Sequence, residues 1–423
     1  MINATFALLT LVVLASGGAA SAAPPLAAPS PITASNPDVQ AVSRAGSDFG
    51  FRLLHLLATD GTKPLDANVF FSPFSVSQAL TLVLNGAGGQ TQTDMAKALG
   101  LEALTQDSIN AANVELLPAL TSDSKVQIDV ANALWANTGW TFLPAFEADA
   151  KKFYHAQVTT LDLHSPRAAA TINGWVSKNT RGRIPTIVTE EDLKYSTNLL
   201  TNAVYFHGQW QVPFEPANTR IEPFYLARGG TELVPLMEQG GEIAYLDAPQ
   251  FQAAILPYGT GRTSMAVFLP KPGVSVETLA LSMTGGTAVY WLGAMQPTEI
   301  QLYLPRFRAN TREMLKEPLM TLGMGLAFDD HADFDRMCLR RTKQGEVLHV
   351  KLDEVLHVAT LDVDEQGTVA AAATATIAGM AGAMPTTPPP PPPIMRVDRP
   401  FLVLIRDTGT GTLLFAGVIR NPQ

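Results

Sequence analysis

The sequence predicts a mixed α+β fold in one large domain, and three observations carry this expectation. Apolar residues recur at helical spacing in some stretches and fill both faces of short strand-like runs in others, as in a central sheet covered on both sides. No Pro/Gly-rich linker interrupts residues 43–363, so nothing divides the chain into separate units. The 423 residues are 46% hydrophobic and only 16% charged, enough apolar surface to fill a large core and to exclude disorder of the whole chain. A net charge of −9 argues against nucleic-acid binding, which needs clustered Lys and Arg. The single cysteine, Cys338, has no internal disulfide partner and reads as a small buried apolar residue rather than a reactive thiol.

Between residues 43 and 57, Phe49, Leu53, Leu54 and Leu57 fall on one helical face and predict an opening helix. Residues 68–75 predict a short strand ending in a Ser-Pro turn, with the Ser75 hydroxyl capping a helix through Ala79, Leu80, Leu82 and Val83. The glycines from Gly86 to Gly89 stop that helix, and another runs towards Leu99. Strands are expected at 125–135, 199–206, 252–257, 264–269, 299–304, 348–363, 401–405 and 413–419.

The two ends of the chain point to export and to an exposed loop. Residues 4–15 are apolar and Ala20-Ser21-Ala22 supplies a small-x-small cleavage pattern, so 1–22 reads as a secretory signal peptide leading to the extracellular space or a periplasm. The run is too short to span a bilayer, and no basic residue precedes it, Arg44 being the first. Residues 23–39, rich in Pro, Ala and Ser, read as a flexible leader before a domain of 40–423. Residues 368–395 carry no charge, but the six prolines 388–393 exclude a membrane helix there. As polyproline II they make a stiff rod of about 19 Å, better read as an arm than as a partner-binding motif.

The most informative segment is 364–376. Its alternate residues Thr368, Ala370, Ala372, Thr374 and Thr376 would share one face of a strand, and all are small. Gly367 stands just before them, where a reversal or hinge needs freedom in φ. Composition alone favours an Ala/Thr linker, by about two to one. Other stretches decide between the two: Asn68 to Thr91, Ile172 to Ile184, Leu200 to Trp210 with Pro213-Phe214, Leu304-Pro-Arg-Phe307, Leu322-Gly-Met324, Phe328 with Ala332-Asp-Phe334, and Arg399-Pro-Phe401. In these, and in their order over residues 43–423, the chain resembles the serpin family.

That resemblance implies a single serpin-type domain with a central mixed sheet, helices over it, further sheets, and an exposed reactive loop at about 365–398. It also implies a suicide-substrate inhibitor of serine proteases, which form a covalent acyl-enzyme with the loop before the cut segment inserts into the central sheet. The inhibitor is then no enzyme and needs no catalytic group, metal or cofactor. A monomer is expected. Carried over residue by residue, Glu365, Gly367, Thr368, Ala370, Ala371, Ala372, Ala373 and Thr374 match the hinge, with Val369 departing from the frequent Glu. Ser72, Ser75, Asn202 and His357 match the polar cluster under the sheet centre that governs its opening, and Trp210 the position near the top where insertion starts. Counting from Glu365 puts the scissile bond at Ala381-Gly382, with Met380-Ala381 next, and a small residue there points to an elastase-like or subtilisin-like target.

Three other readings compete with this one. A serine hydrolase would need a nucleophile elbow, and no G-x-S-x-G occurs; no histidines pair as H-E-x-x-H for zinc. The serious alternative is a serpin-fold protein that does not inhibit, a carrier or chaperone-like binder.

Overall fold

The computed structural model describes residues 36–367 and 391–423. The expected signal peptide 1–22, the expected hinge residues Thr368 to Thr374, and Met380, Ala381 and Gly382 lie outside the described residues.

The first helices are α1 (Pro37–Ala58), α2 (Pro73–Leu84), α3 (Gly89–Leu99), α4 (Gln106–Leu120), α5 (Pro144–Tyr154) and α6 (Ala168–Asn179). The Asn36 side chain caps α1 and Pro37 supplies its first turn, so the helix starts upstream of residue 43. Pro37, Asp38 and Val39, placed in the leader on sequence, thus belong to the folded domain, with Val39 buried. Ser72, not Ser75, is the cap of α2: its hydroxyl accepts from the Ser75 N–H. The Ser-Pro pair sets this, since Pro73 is pre-organised for the first helical position and the residue before it is held extended.

The strands in chain order are β1 (Val69–Phe71), β2 (Val126–Asn137), β3 (Thr141–Phe142), β4 (Gln157–Leu161), β5 (Asn198–Gly208), β6 (Arg220–Tyr225), β7 (Thr231–Asp247), β8 (Phe251–Tyr258), β9 (Thr263–Pro270), β10 (Gln296–Pro305), β11 (Phe307–Met314), β12 (Cys338–Arg341), β13 (Val347–His349), β14 (Val355–Val363), β15 (Ile394–Arg396), β16 (Phe401–Asp407) and β17 (Leu413–Ile419). The run 348–363, expected as one strand, is split into β13 and β14 by the stretch at 350–354. They form a nine-stranded sheet ordered β1-β17-β16-β9-β8-β7-β10-β15 with β6 beside β7, a five-stranded sheet ordered β11-β14-β5-β2-β4, and a small three-stranded sheet. The last strand, β17, lies between β1 and β16, near the start of the chain in space.

The large core fills the space between the two main sheets, where Phe206 meets both Tyr258 and Phe415 edge-on at 5.1 and 5.4 Å between ring centroids. A second core covers the opposite face of the five-stranded sheet. There Ile172 and Val176 of α6 pack on Ala131, Ala133, Trp135, Leu199, Ala203, Leu356 and Val358. With both faces covered, β5 and β14 are apolar almost throughout, as their sequences require.

Candidate functional site

The centre of the five-stranded sheet has an uncommon pairing. Its neighbours on either side are antiparallel, β11 with β14 and β5 with β2, but β14 and β5 lie directly side by side and parallel, from Val355↔Leu200 to Leu361↔Phe206. Parallel ladders are slightly weaker per residue than antiparallel ones. Any strand entering between these two and running the opposite way would replace one parallel ladder with two antiparallel ones.

The chain leaving β14 is already turned in that direction. Asp364 and Gly367 close a tight reversal, the Asp364 N–H donating to the Gly367 carbonyl at 2.8 Å, and the Asp364 carboxylate accepts from the Gln366 N–H at 2.9 Å. Gly367 has φ +127°, and a Cβ there would stand 2.2 Å from the Gly208 carbonyl oxygen, so the position admits only glycine. It forms an isolated antiparallel bridge with Gln209, just past the end of β5. This bridge stands at the end of the β14–β5 seam.

Two anchors hold this turn. Trp210, buried and stacked on Tyr258 at 4.2 Å between centroids, donates its indole N–H to the Asp364 carbonyl at 2.9 Å and its backbone N–H to the Gln366 carbonyl at 3.0 Å. Glu365 is buried at 4% exposure and receives the Arg306 guanidinium on both carboxylate oxygens, Nε lying 2.8 Å from each, together with the Thr219 hydroxyl. Burial alone would raise the Glu365 pKa, but the hydrogen bonds from Arg306 and Thr219 outweigh it and hold the carboxyl below its ordinary value. Asp364, half-buried without such a partner, is pushed up.

Beneath the middle of the seam the structure brings Ser72, Ser75, Asn202 and His357 together in one buried network. Asn202 and His357 are register partners across β5 and β14. The Ser72 N–H donates to His357 Nε2 at 3.0 Å, so Nδ1 carries the proton of the neutral ring and donates to Asn202 Oδ1 at 2.5 Å. Complete burial drives the His357 pKa down to about 3, which keeps the imidazole neutral. The Asn202 amide donates to the Ser75 hydroxyl at 2.6 Å and to Asn132 Oδ1 on β2. The Ser72 hydroxyl donates to the Leu414 carbonyl at 2.6 Å, joining this network to the second sheet.

Sequence reasoning missed Asn132, Arg306 and Thr219. Asn132 interrupts the apolar run of β2 at a position directly opposite Asn202, a signal visible only once the register is known. Among the described residues no group of His, Cys, Asp and Glu is arranged to hold a metal, and no helix is long and apolar enough to cross a membrane.

Comparison with known proteins agrees with this architecture. The family model described as Serpin (serine protease inhibitor) matches residues 44–422. A serpin-like protein of Thermococcus kodakarensis is 35% identical over 387 residues, covering 90% of this chain and 86% of that protein. The leukocyte elastase inhibitor of Xenopus laevis is 32% identical over 365 residues, covering 84% and 93%. Among solved structures, human thyroxine-binding globulin aligns with a TM-score of 0.79 at 27% identity, over 91% of this chain and 100% of that one. The match across nearly the whole length, together with the two-sheet architecture, establishes that this chain belongs to the serpin family, a family of protease inhibitors rather than enzymes.

Proposed function

We propose that this chain is a suicide-substrate inhibitor of serine endopeptidases with elastase-like or subtilisin-like specificity, exported by way of residues 1–22 and acting as a monomer. The observation that carries this is the direct parallel pairing of β14 with β5, with the chain turned back above it at Gly367. The loop of 365–398 is the bait. The protease serine oxygen attacks the carbonyl carbon of Ala381, the Ala381-Gly382 bond breaks, Gly382 leaves with the new amino group, and Ala381 stays esterified to the enzyme. Met380-Ala381 is the second choice of bond.

Residues 368–381 then enter the seam from the rung at Gln209 and Gly367. Fourteen residues at 3.3 Å span about 46 Å, so the esterified protease is carried far from its docking position. A displacement of about 1 Å among its catalytic groups already costs on the order of 100-fold in rate, and the ester outlives the enzyme's ability to hydrolyse it. Thr368, Ala370, Ala372 and Thr374 offer no bulk to block entry between strands, and Ala371 and Ala373 none on the other face. In this mechanism Trp210 and Glu365 hold the hinge, and Ser72, Ser75, Asn202 and His357 lock the strands that must part. A small residue at the scissile bond accords with the likeness to the leukocyte elastase inhibitor.

Incubation with a panel of elastases and subtilisins tests the proposal. An SDS-resistant one-to-one complex and a released C-terminal peptide beginning at Gly382 are expected. Quantitative cleavage with neither complex nor thermal stabilisation would turn the assignment to a carrier or chaperone-like binder. N-terminal sequencing of the exported protein should begin at Ala23.

A further inference from the structure

A cavity of about 530 Å³ lies where the turn after α1, the turn between β9 and the helix Val276–Ser282, and the lead into β16 meet. That volume falls within the roughly 300–1,000 Å³ of small-molecule sites. Pro64, Pro270 and Pro400 fix the backbone around it. Each turn is also closed by its own hydrogen bond, the Ala67 N–H to the Pro64 carbonyl at 2.9 Å and the Val274 N–H to the Lys271 carbonyl at 3.0 Å. The walls therefore stand in place before a ligand arrives, which lowers the ordering cost of binding. Leu65, Val274 and Val276 give them an apolar lining, and Leu65 and Ala227 are exposed at the rim.

Set into these apolar walls are three cations, Lys63, Arg399 and Arg420, against two carboxylates, Asp60 and Glu277. The balance is positive in a chain whose net charge is −9. Arg420, its side chain 7% exposed, donates to Glu277 at 2.9 Å and to the Ala67 and Ala58 carbonyls at 2.7 Å each. Arg399 donates twice to the Pro270 carbonyl, at 3.0 and 2.7 Å, and once to Asp398 at 2.9 Å. A guanidinium carries five N–H groups, so among the described residues each of these spends three and keeps two. Lys63 pairs with one carboxylate, Glu313 of β11. Asp60 is turned to the Thr62 N–H and hydroxyl, at 3.0 and 2.6 Å. The cavity thus offers spare charged donors beside apolar surface, the complement of an anion with an apolar body.

We infer that this cavity binds a small amphipathic carboxylic acid, its carboxylate held by Arg399 with Arg420 and Lys63 beside it, and its apolar body laid on Leu65 and Val274. The planar fork of a guanidinium matches a carboxylate in shape and charge, whereas a bare inorganic anion would leave the apolar walls uncovered. The site does not depend on the inhibitory function proposed above. Through Lys63 and Glu313 it reaches the five-stranded sheet, and through Arg420, just past β17, the nine-stranded one. Occupancy joins groups fastened to both sheets, so the melting temperature should rise with ligand concentration.

The test is calorimetric titration of the full chain with 1-naphthoate and with octanoate, each compared with its uncharged amide and with inorganic phosphate. At least one acid should bind about tenfold tighter than its amide and than phosphate. Arg399→Gln, which keeps an amide donor but no charge, should remove most of that preference. Ala227→Trp, on the exposed rim, should weaken acid and amide alike, and it keeps the test decisive should Arg399→Gln not fold. Absence of binding by either acid at millimolar concentration overturns the site. So does tighter binding of phosphate, which would make it a bare anion site, and so do acid affinities that neither variant changes. Protease trapping is read separately and stands or falls on its own.

Discussion

At the scale of single residues, His357 makes stability depend on pH in a direction fixed by its burial. Its ring is neutral in the fold, with a pKa of about 3 against 6.5 for a free side chain. Between those values the unfolded chain binds a proton that the folded chain does not, so stability falls as pH drops from 6.5 towards 3. The slope from this group reaches about 1.4 kcal/mol per pH unit. His357→Asn should flatten the slope in urea titrations between pH 6 and 4, whatever it does to stability at neutral pH; an unchanged slope contradicts the neutral, fully buried ring. Glu365 makes a different prediction. Replacing it with Gln leaves the Arg306 guanidinium without its counter-charge, and because Arg306 is nearly half exposed the loss should be about 1–2 kcal/mol in the urea midpoint. Glu365→Lys, with two cations facing each other, should lose more.

At the scale of elements, the proposed mechanism turns on the segment 368–381, which would enter the sheet as a strand. Thr368→Arg would put a charge on the face proposed to insert, and burying it there costs free energy. A penalty of only about 1.4 kcal/mol on insertion shifts the partition tenfold towards cleaved, unreacted inhibitor. Densitometry of complex against cleaved product reads that partition directly, and an unchanged ratio would mean that Thr368 faces elsewhere. The central strands were largely legible in the sequence, because apolar runs on two faces are local signals, whereas the small alternate residues of 368–376 lie outside the described residues. The long strand β7 and the edge strand β11 were not. The Gly240-Gly241 pair interrupts β7, and in β11 the inward positions Thr311 and Glu313 are polar, Glu313 being buried against Lys63. The polar cluster came from resemblance rather than from pattern, since Ser72, Asn202 and His357 are scattered in the chain and meet only through strand register. The cap of α2 was misassigned for the opposite reason: two serines three residues apart both fit a cap, and only Pro73 decides between them.

For the whole molecule, nicking the loop should raise thermal stability instead of lowering it. If about ten ladder hydrogen bonds form at roughly 1 kcal/mol each, the gain is on the order of 10 kcal/mol, and for a chain of this length the melting temperature should rise by about 10–20 °C. Calorimetry of intact and elastase-nicked protein compares the two, and coincident melting curves would remove the basis of the proposed mechanism. The position of β17 has a further consequence for biosynthesis. It is synthesised after residues 365–398, yet it supplies the inner neighbour of β1, and with β16 it joins β1 to β9. Until β16 and β17 emerge, two inner edges of the nine-stranded sheet stand open while the proposed bait and hinge have already been made. On the mechanism proposed above, the nascent chain must therefore be kept from adopting the inserted arrangement through the very interval in which the rest of its architecture is incomplete.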